Sequence, residues 1–158
     1  MKLLTLARDL QRRKARERQQ LFVAEGVRTV ESLLASGLPV QGVLVAEEAD
    51  SNDRVRALLD MCDARRIAIG TVSTRELVDA ADTESPQGIL AIAPIPFWEM
   101  PAFPFAEGAR FLVLDALQDP GNVGTVVRTA AAMGVRATFA LPGTVDVWNA
   151  KVVRGSMG

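Results

Sequence analysis

Two short stretches concentrate side chains that could do chemistry. The first, LDALQDPGNVGTVVRTAAAMG from Leu114 to Gly134, sets Asn122, Thr125, Arg128 and Thr129 in an otherwise apolar run. The second, NAKVVRGSMG from Asn149 to Gly158, crowds Lys151, Arg154 and Ser156 between glycines. Arginine is a planar, permanently charged donor suited to phosphate. A helix start offers free N–H groups and a positive dipole end, which favour an anion. On a wheel of about 100° per residue, Val123, Val126, Val127, Ala130, Ala131 and Gly134 share one arc. Asn122, Thr125, Arg128, Thr129 and Ala132 share the other. Asn122 stands where an N-cap is expected, and it points the same way as Arg128. Gly121 and Gly124 allow another backbone to come close. On spacing alone the favoured description of the first stretch is a capped amphipathic helix with a solvent-facing arginine, and of the second an ordinary basic helix end.

What the sequence lacks narrows the chemistry. It holds no histidine, which excludes Ser-His-Asp and Cys-His catalysis and any His-ligated metal. One cysteine without histidine makes no transition-metal site, so no metal is expected. Neither a G-x-x-x-x-G-K-[ST] phosphate loop nor a G-x-G-x-x-G dinucleotide turn occurs.

The surrounding elements follow from periodicity. Residues 3–18 read as one helix. QLFVAEG follows as a strand, VRTVESLLASG as a helix closed by Gly37, VQGVLVAE as a strand and NDRVRALLDMCDARR as a helix. IAIGTVS is a third strand. Thr74 is placed to cap RELVDAA, and GILAIAP is a fourth strand. Alternating strands and helices describe an α/β layered domain over residues 1–94. Residues 95–109 read as a linker, since the run from Pro94 to Gly108 holds four prolines and four aromatics. A second α/β unit occupies 110–158, with strands RFLVLDA and RATFALP and a turn into a further helix. Two parallel strands do not bury both faces of a sheet. Residues 1–94 are therefore expected to fold by themselves, residues 110–158 to be poorly protected, and the chain to be an N-terminal fragment.

Charge is unevenly spread. Residues 1–28 hold eight Lys/Arg against three Asp/Glu, residues 29–109 five against thirteen, and residues 110–158 five against three. Positive ends point to a polyanion, and the segment Arg12, Arg13, Lys14, Arg16 and Arg18 is the candidate for phosphate contacts. No apolar run approaches the roughly 20 residues of a membrane span. The N-terminus lacks an apolar signal core. The single Cys62 suits a reducing, cytoplasmic setting and a buried structural role.

The first stretch resembles the signature D-x-x-x-D-P-x-N-x-G-x-x-x-R-T-A-x-x-x-G of the SpoU (TrmH-like) RNA 2′-O-ribose methyltransferases of the SPOUT superfamily. It matches at Asp115, Asp119, Pro120, Asn122, Gly124, Arg128, Thr129, Ala130 and Gly134. KVVRGSMG resembles that family's next segment, K-x-x-R-x-S-x-G, and LFVAEGVRTVESLLASG the opening of its N-terminal substrate-binding domain. The resemblance implies an α/β fold: an N-terminal α/β/α RNA substrate-binding domain, then the first part of an α/β-knot (SPOUT) methyltransferase domain whose C-terminal knot is missing. It implies transfer of methyl from S-adenosylmethionine to a ribose 2′-hydroxyl, with ribosomal RNA favoured. Arg128 and Asn122 would stand at the catalytic centre, with Lys151, Arg154 and Ser156 on the substrate side. Cofactor-binding residues would lie beyond Gly158, and the full-length protein would be a homodimer. Two other readings stay open: a non-catalytic RNA-binding module or degenerate paralogue, and a small-molecule-binding α/β protein.

Overall fold

The computed structural model describes residues 2–82, 86–97 and 107–157. Most of the expected 95–109 linker, and Gly158, lie outside the described residues. The chain opens with α1 (Lys2–Leu10), α2 (Arg13–Gln19), β1 (Leu21–Glu25) and α3 (Val27–Ala35). It continues through β2 (Gly42–Ala46), a 3-10 turn (Glu47–Ser51), α4 (Asp53–Ala64), β3 (Ile69–Val72), α5 (Thr74–Ala80) and β4 (Ile89–Pro94). The four strands form one mixed sheet in the order β1-β4-β2-β3. β4 runs antiparallel to both neighbours, and β2 and β3 are parallel.

Side chains alternate across that sheet with the period of two that strands impose. Phe22, Ala24, Val43 and Val45 face α3 and α4, which supply Val30, Leu34, Val55 and Cys62. Val23, Leu44, Leu90 and Ile92 face α1 and α5, which supply Leu4, Ala7, Leu10 and Leu77. The result is a three-layer α/β/α sandwich with both sheet faces covered. Burial raises the pKa of the Cys62 thiol, in keeping with an inert core position.

Two local expectations need correction. Residues 3–18 are not one helix: the chain breaks at Gln11 and Arg12, where Arg12 is extended. No proline or glycine causes the break. The Arg16 guanidinium does, because its Nη1 donates to Leu10 O and Gln11 O, both at 2.8 Å. The last carbonyls of α1 thereby gain a side-chain partner in place of another helical turn. The cap of α5 is Ser73 rather than Thr74. Ser73 Oγ accepts from the N–H of Glu76 while Glu76 Oε2 accepts from the N–H of Ser73, a reciprocal capping box.

The second unit comprises β5 (Arg110–Leu114), α6 (Pro120–Ala132), β6 (Val135–Ala140) and α7 (Ala150–Ser156). β5 and β6 pair in parallel. Leu114, Val123 and Val152 form a small core beneath α6 and α7. The outer face of β5 stays open, with Val113 56% exposed. α7 is not confined to this small core. Val153 joins the core of the first sheet, and Trp148 packs on Phe22 with ring centroids 4.8 Å apart. Sequence periodicity carries no information on which helix docks against which sheet.

The capping box generates a stability prediction. Ser73→Ala should lower stability by about 1 kcal/mol at neutral pH. Hydrogen bonds from the Ser73 backbone and side chain hold the Glu76 carboxyl below its ordinary value. A depressed carboxylate stabilises above its unfolded pKa and loses that contribution as pH falls through the folded value. The gap between variant and parent should therefore narrow below about pH 4. Chemical denaturation at pH 7 and pH 3.5 checks this; an equal gap at both would remove the box.

Candidate functional site

The site is assembled on α6 and α7. Pro120 occupies the first turn of α6, where its fixed φ and missing N–H carry no penalty. The N-cap is Asp119, whose Oδ1 accepts from the N–H of Asn122 at 2.6 Å. Asn122 therefore sits inside the first turn instead of capping the helix, which corrects the sequence expectation. The correction has an electrostatic consequence. A carboxylate already occupies the positive helix end, so that end is not a ready anion site.

The polar arc of α6 faces solvent as the wheel requires: Asn122, Thr125, Arg128 and Thr129 are all exposed. Thr125 Oγ1 donates to Gly121 O and Thr129 Oγ1 to Thr125 O, each at 2.9 Å. Both hydroxyls are thus turned back onto the helix. The side chains of Asn122 and Arg128 have no hydrogen-bond or ion-pair partner among the described residues, and they are the two groups on this arc left to meet a ligand.

α7 lies directly against α6. A Cβ added to Gly124 would come within 2.7 Å of Val152 O and 2.8 Å of Gly155 Cα. A Cβ on Gly155 would meet Gly124 Cα at 3.2 Å. The two helices therefore touch backbone to backbone, and glycine is required on both sides. Arg128 is one turn beyond Gly124 and seven residues from Gly121, on the flank of α6 that adjoins α7. α7 starts at the N-cap Asn149, whose Oδ1 accepts from the N–H of Lys151 at 2.9 Å. Lys151 is exposed and Arg154 half-buried. Ser156 donates to Val153 O at 2.8 Å and borders a cavity of about 510 Å³ between α3 and the second unit.

The basic segment divides. Arg16 is only 4% exposed; its Nε donates to Asp146 Oδ2 at 2.7 Å, with Nη2 2.6 Å from the same oxygen. It is not available to a phosphate, which corrects its assignment to the RNA-contact group. Arg13 pairs with Glu17 at 2.7 Å, Arg12 and Arg18 both pair with Asp9, and Lys14 is exposed. Arg12 and Arg18 join Lys2 and Arg8 around an open depression of about 850 Å³ on α1 and α2. The sequence reading missed Lys2 and Arg8. The spacing of four residues between Arg8 and Arg12 was the available signal. Among the described residues there is no cluster able to hold a metal ion, and no helix is long and apolar enough to cross a membrane.

Comparison with known proteins adds a family. Residues 5–91 match the MRM3-like substrate binding domain and residues 109–158 the SpoU rRNA Methylase family. The chain is 33% identical over 151 residues to the 23S rRNA (guanosine(2553)-2′-O)-methyltransferase RlmP of Bacillus subtilis, covering 96% of this chain and 56% of that protein. It is 28% identical to a 23S rRNA (uridine(2479)-2′-O)-methyltransferase of Streptomyces viridochromogenes, covering 92% of this chain and 50% of that one. The crystal structure of an RNA 2′-O ribose methyltransferase superposes with a TM-score of 0.79 at 29% identity, over 99% of this chain and 58% of that one. The AdoMet-bound rRNA methyltransferase from Sinorhizobium meliloti gives 0.82 at 25%, over 99% and 57%. The chain thus spans little more than half the length of these relatives.

The glycine contact can be tested directly. Gly124→Ala should cost about 1–3 kcal/mol, because the new methyl meets backbone that must shift. Gly121→Ala, whose methyl would meet only Asp119 Oδ1 at 3.3 Å, should stay within about 0.5 kcal/mol of the parent. Equal melting temperatures for the two variants would refute the close packing of α6 on α7.

Proposed function

The chain belongs to the SpoU rRNA methylase family, and from that premise we propose that it forms the RNA-facing part of a ribose 2′-O-methyltransferase. The proposed reaction methylates a ribose 2′-hydroxyl, with ribosomal RNA as substrate and S-adenosylmethionine as methyl donor in the whole protein. The observation that carries this reading is the exposed pair Asn122 and Arg128 on a helix fixed by its neighbour through glycine.

S-Adenosylmethionine supplies an electrophilic methyl group. The cavity of about 510 Å³ does not fit it, being lined without a single charged side chain. It therefore offers hydroxyls but no counter-charge to the donor's ammonium, carboxylate or sulfonium. This chain is accordingly assigned the acceptor side of the reaction. Arg128 is a permanent cation whose planar donors can hold the phosphate beside the target ribose and stabilise negative charge building on its 2′-oxygen. Asn122, on the same arc, can orient the sugar with its free amide. Lys151, Arg154 and Ser156 are read as the substrate side of α7. Residues 1–94 are read as the RNA-binding domain, with Arg12, Arg13, Lys14 and Arg18 as phosphate contacts. The reading extends to a cytoplasmic homodimer. The buried free thiol of Cys62 supports the compartment, and the open apolar face at Phe111 and Val113 supports association.

Arg128→Ala should leave stability within about 0.5 kcal/mol of the parent, since the residue is exposed. Methyl transfer to RNA by the whole protein should fall at least about 100-fold, the scale seen on losing one charge-stabilising donor. Retained activity would overturn the assigned role. RNA binding with no transfer by the parent protein would favour a binding module instead. A second variant addresses the depression on α1 and α2. Replacing Arg12 and Arg18 with Gln should weaken RNA binding and lower the slope of log K against log salt by about 1 to 2, as released counterions require. An unchanged slope would remove this surface from the interface.

A further inference from the structure

The junction between the two units holds a buried ion pair beside its apolar contacts, made by Arg16. Its guanidinium serves both sides at once. Nη1 bonds the carbonyls of Leu10 and Gln11 at the end of α1, while Nε and Nη2 bond Asp146 Oδ2 in the loop before α7. The two side chains are only 5% and 15% exposed. Asp146 in turn orders the start of α7. Its Oδ1 accepts from the N–H of Trp148 at 3.0 Å, and its carbonyl accepts from the N–H of Asn149. Asn149 is the α7 cap, and its Nδ2 donates across the junction to Asp82 Oδ2 at 3.1 Å. Asp82 is itself tied to β1, since its N–H donates to Glu25 Oε1 at 2.6 Å.

These contacts form one continuous path: α1 and β1, through Arg16 and Asp82, to the 146–149 loop, to α7, and across Gly155 to Gly124 on α6. We propose that Arg16 is a positioning residue that, through Asp146, sets α7 and with it α6, so that the N-terminal sheet fixes the helix carrying Arg128. The consequence for rate rests on the reading of Arg128 given above; the mechanical coupling does not. Breaking such a pair from one side leaves an uncompensated buried charge, so the arrangement that satisfies both groups is favoured over those that separate them.

Hydrogen exchange on the 158-residue chain tests the coupling with Arg16→Gln, Asp146→Asn and the double variant. Asp146→Asn keeps an oxygen for the Trp148 N–H and leaves the Arg16 bonds to α1 untouched. It therefore decides the matter even if Arg16→Gln fails to fold. Amides of Val152 and Val153 should exchange at least about tenfold faster in each single variant, with no further gain in the double. Amides of Val43 and Val45 in β2 should keep their parent rates. In the whole protein, Asp146→Asn should lower kcat about tenfold while KM for RNA stays within about twofold. Unchanged exchange in α7 would overturn the coupling, and unchanged kcat despite faster exchange would overturn the positioning role. A whole protein that transfers no methyl group before substitution would sink the functional reading instead, and the exchange arm would still decide the coupling.

Discussion

A seven-residue helix is too short to hold its shape alone, and α7 is such a helix. It exists because it is wedged between two surfaces. Gly155 presses on Gly124 of α6, while Val153 and the preceding Trp148 fill the core beside Phe22 of β1. The rest of the arrangement depends on this wedge. A two-stranded parallel sheet has too little apolar surface to be stable by itself, and β5 and β6 leave Val113 and Phe111 uncovered. The second unit gains its fixed place from α7, and the flank of α6 that adjoins α7 carries Arg128.

The start of α6 illustrates how capping shapes the site. With Asp119 as cap and Pro120 in the first turn, the helix end already carries negative charge. A phosphate approaching it meets a carboxylate, so the attraction must come from farther along, where Arg128 stands exposed among threonines that are bonded to their own helix. The same logic separates the arginines of α2. Arg12, Arg13 and Arg18 lie at the surface, while Arg16 is consumed by Asp146 and two carbonyls.

Local physics was legible in the residues; long-range pairing was not. The polar arc of α6, the burial of Cys62 and the close approach at Gly124 follow from periodicity and composition and the structure agrees, whereas Gly121, given the same role, has no backbone pressed against it. The cap of α6 was misplaced because Asn122 and Asp119 both suit an N-cap, and only the backbone distinguishes them. The break between α1 and α2 was invisible because its cause is a guanidinium four to six residues downstream, on a helix that must first fold back. The docking of α7 on β1 brings together Phe22 and Trp148, and Arg16 and Asp146 across 130 residues, and no local pattern encodes such separations. The family, by contrast, was legible in the order and spacing of three segments that no single physical argument would have selected.

On the proposed reading, the exposed arc of α6 is an RNA face held in register by α7. Chemical-shift mapping with a short ribosomal RNA fragment, on the isotope-labelled 158-residue chain, tests it most directly. Shifts are expected at the amides of Asn122, Thr125 and Thr129 and at the Arg128 side-chain Nε–H, weakening with added salt. Shifts confined to α3 and α4, with the α6 arc unmoved, would contradict it.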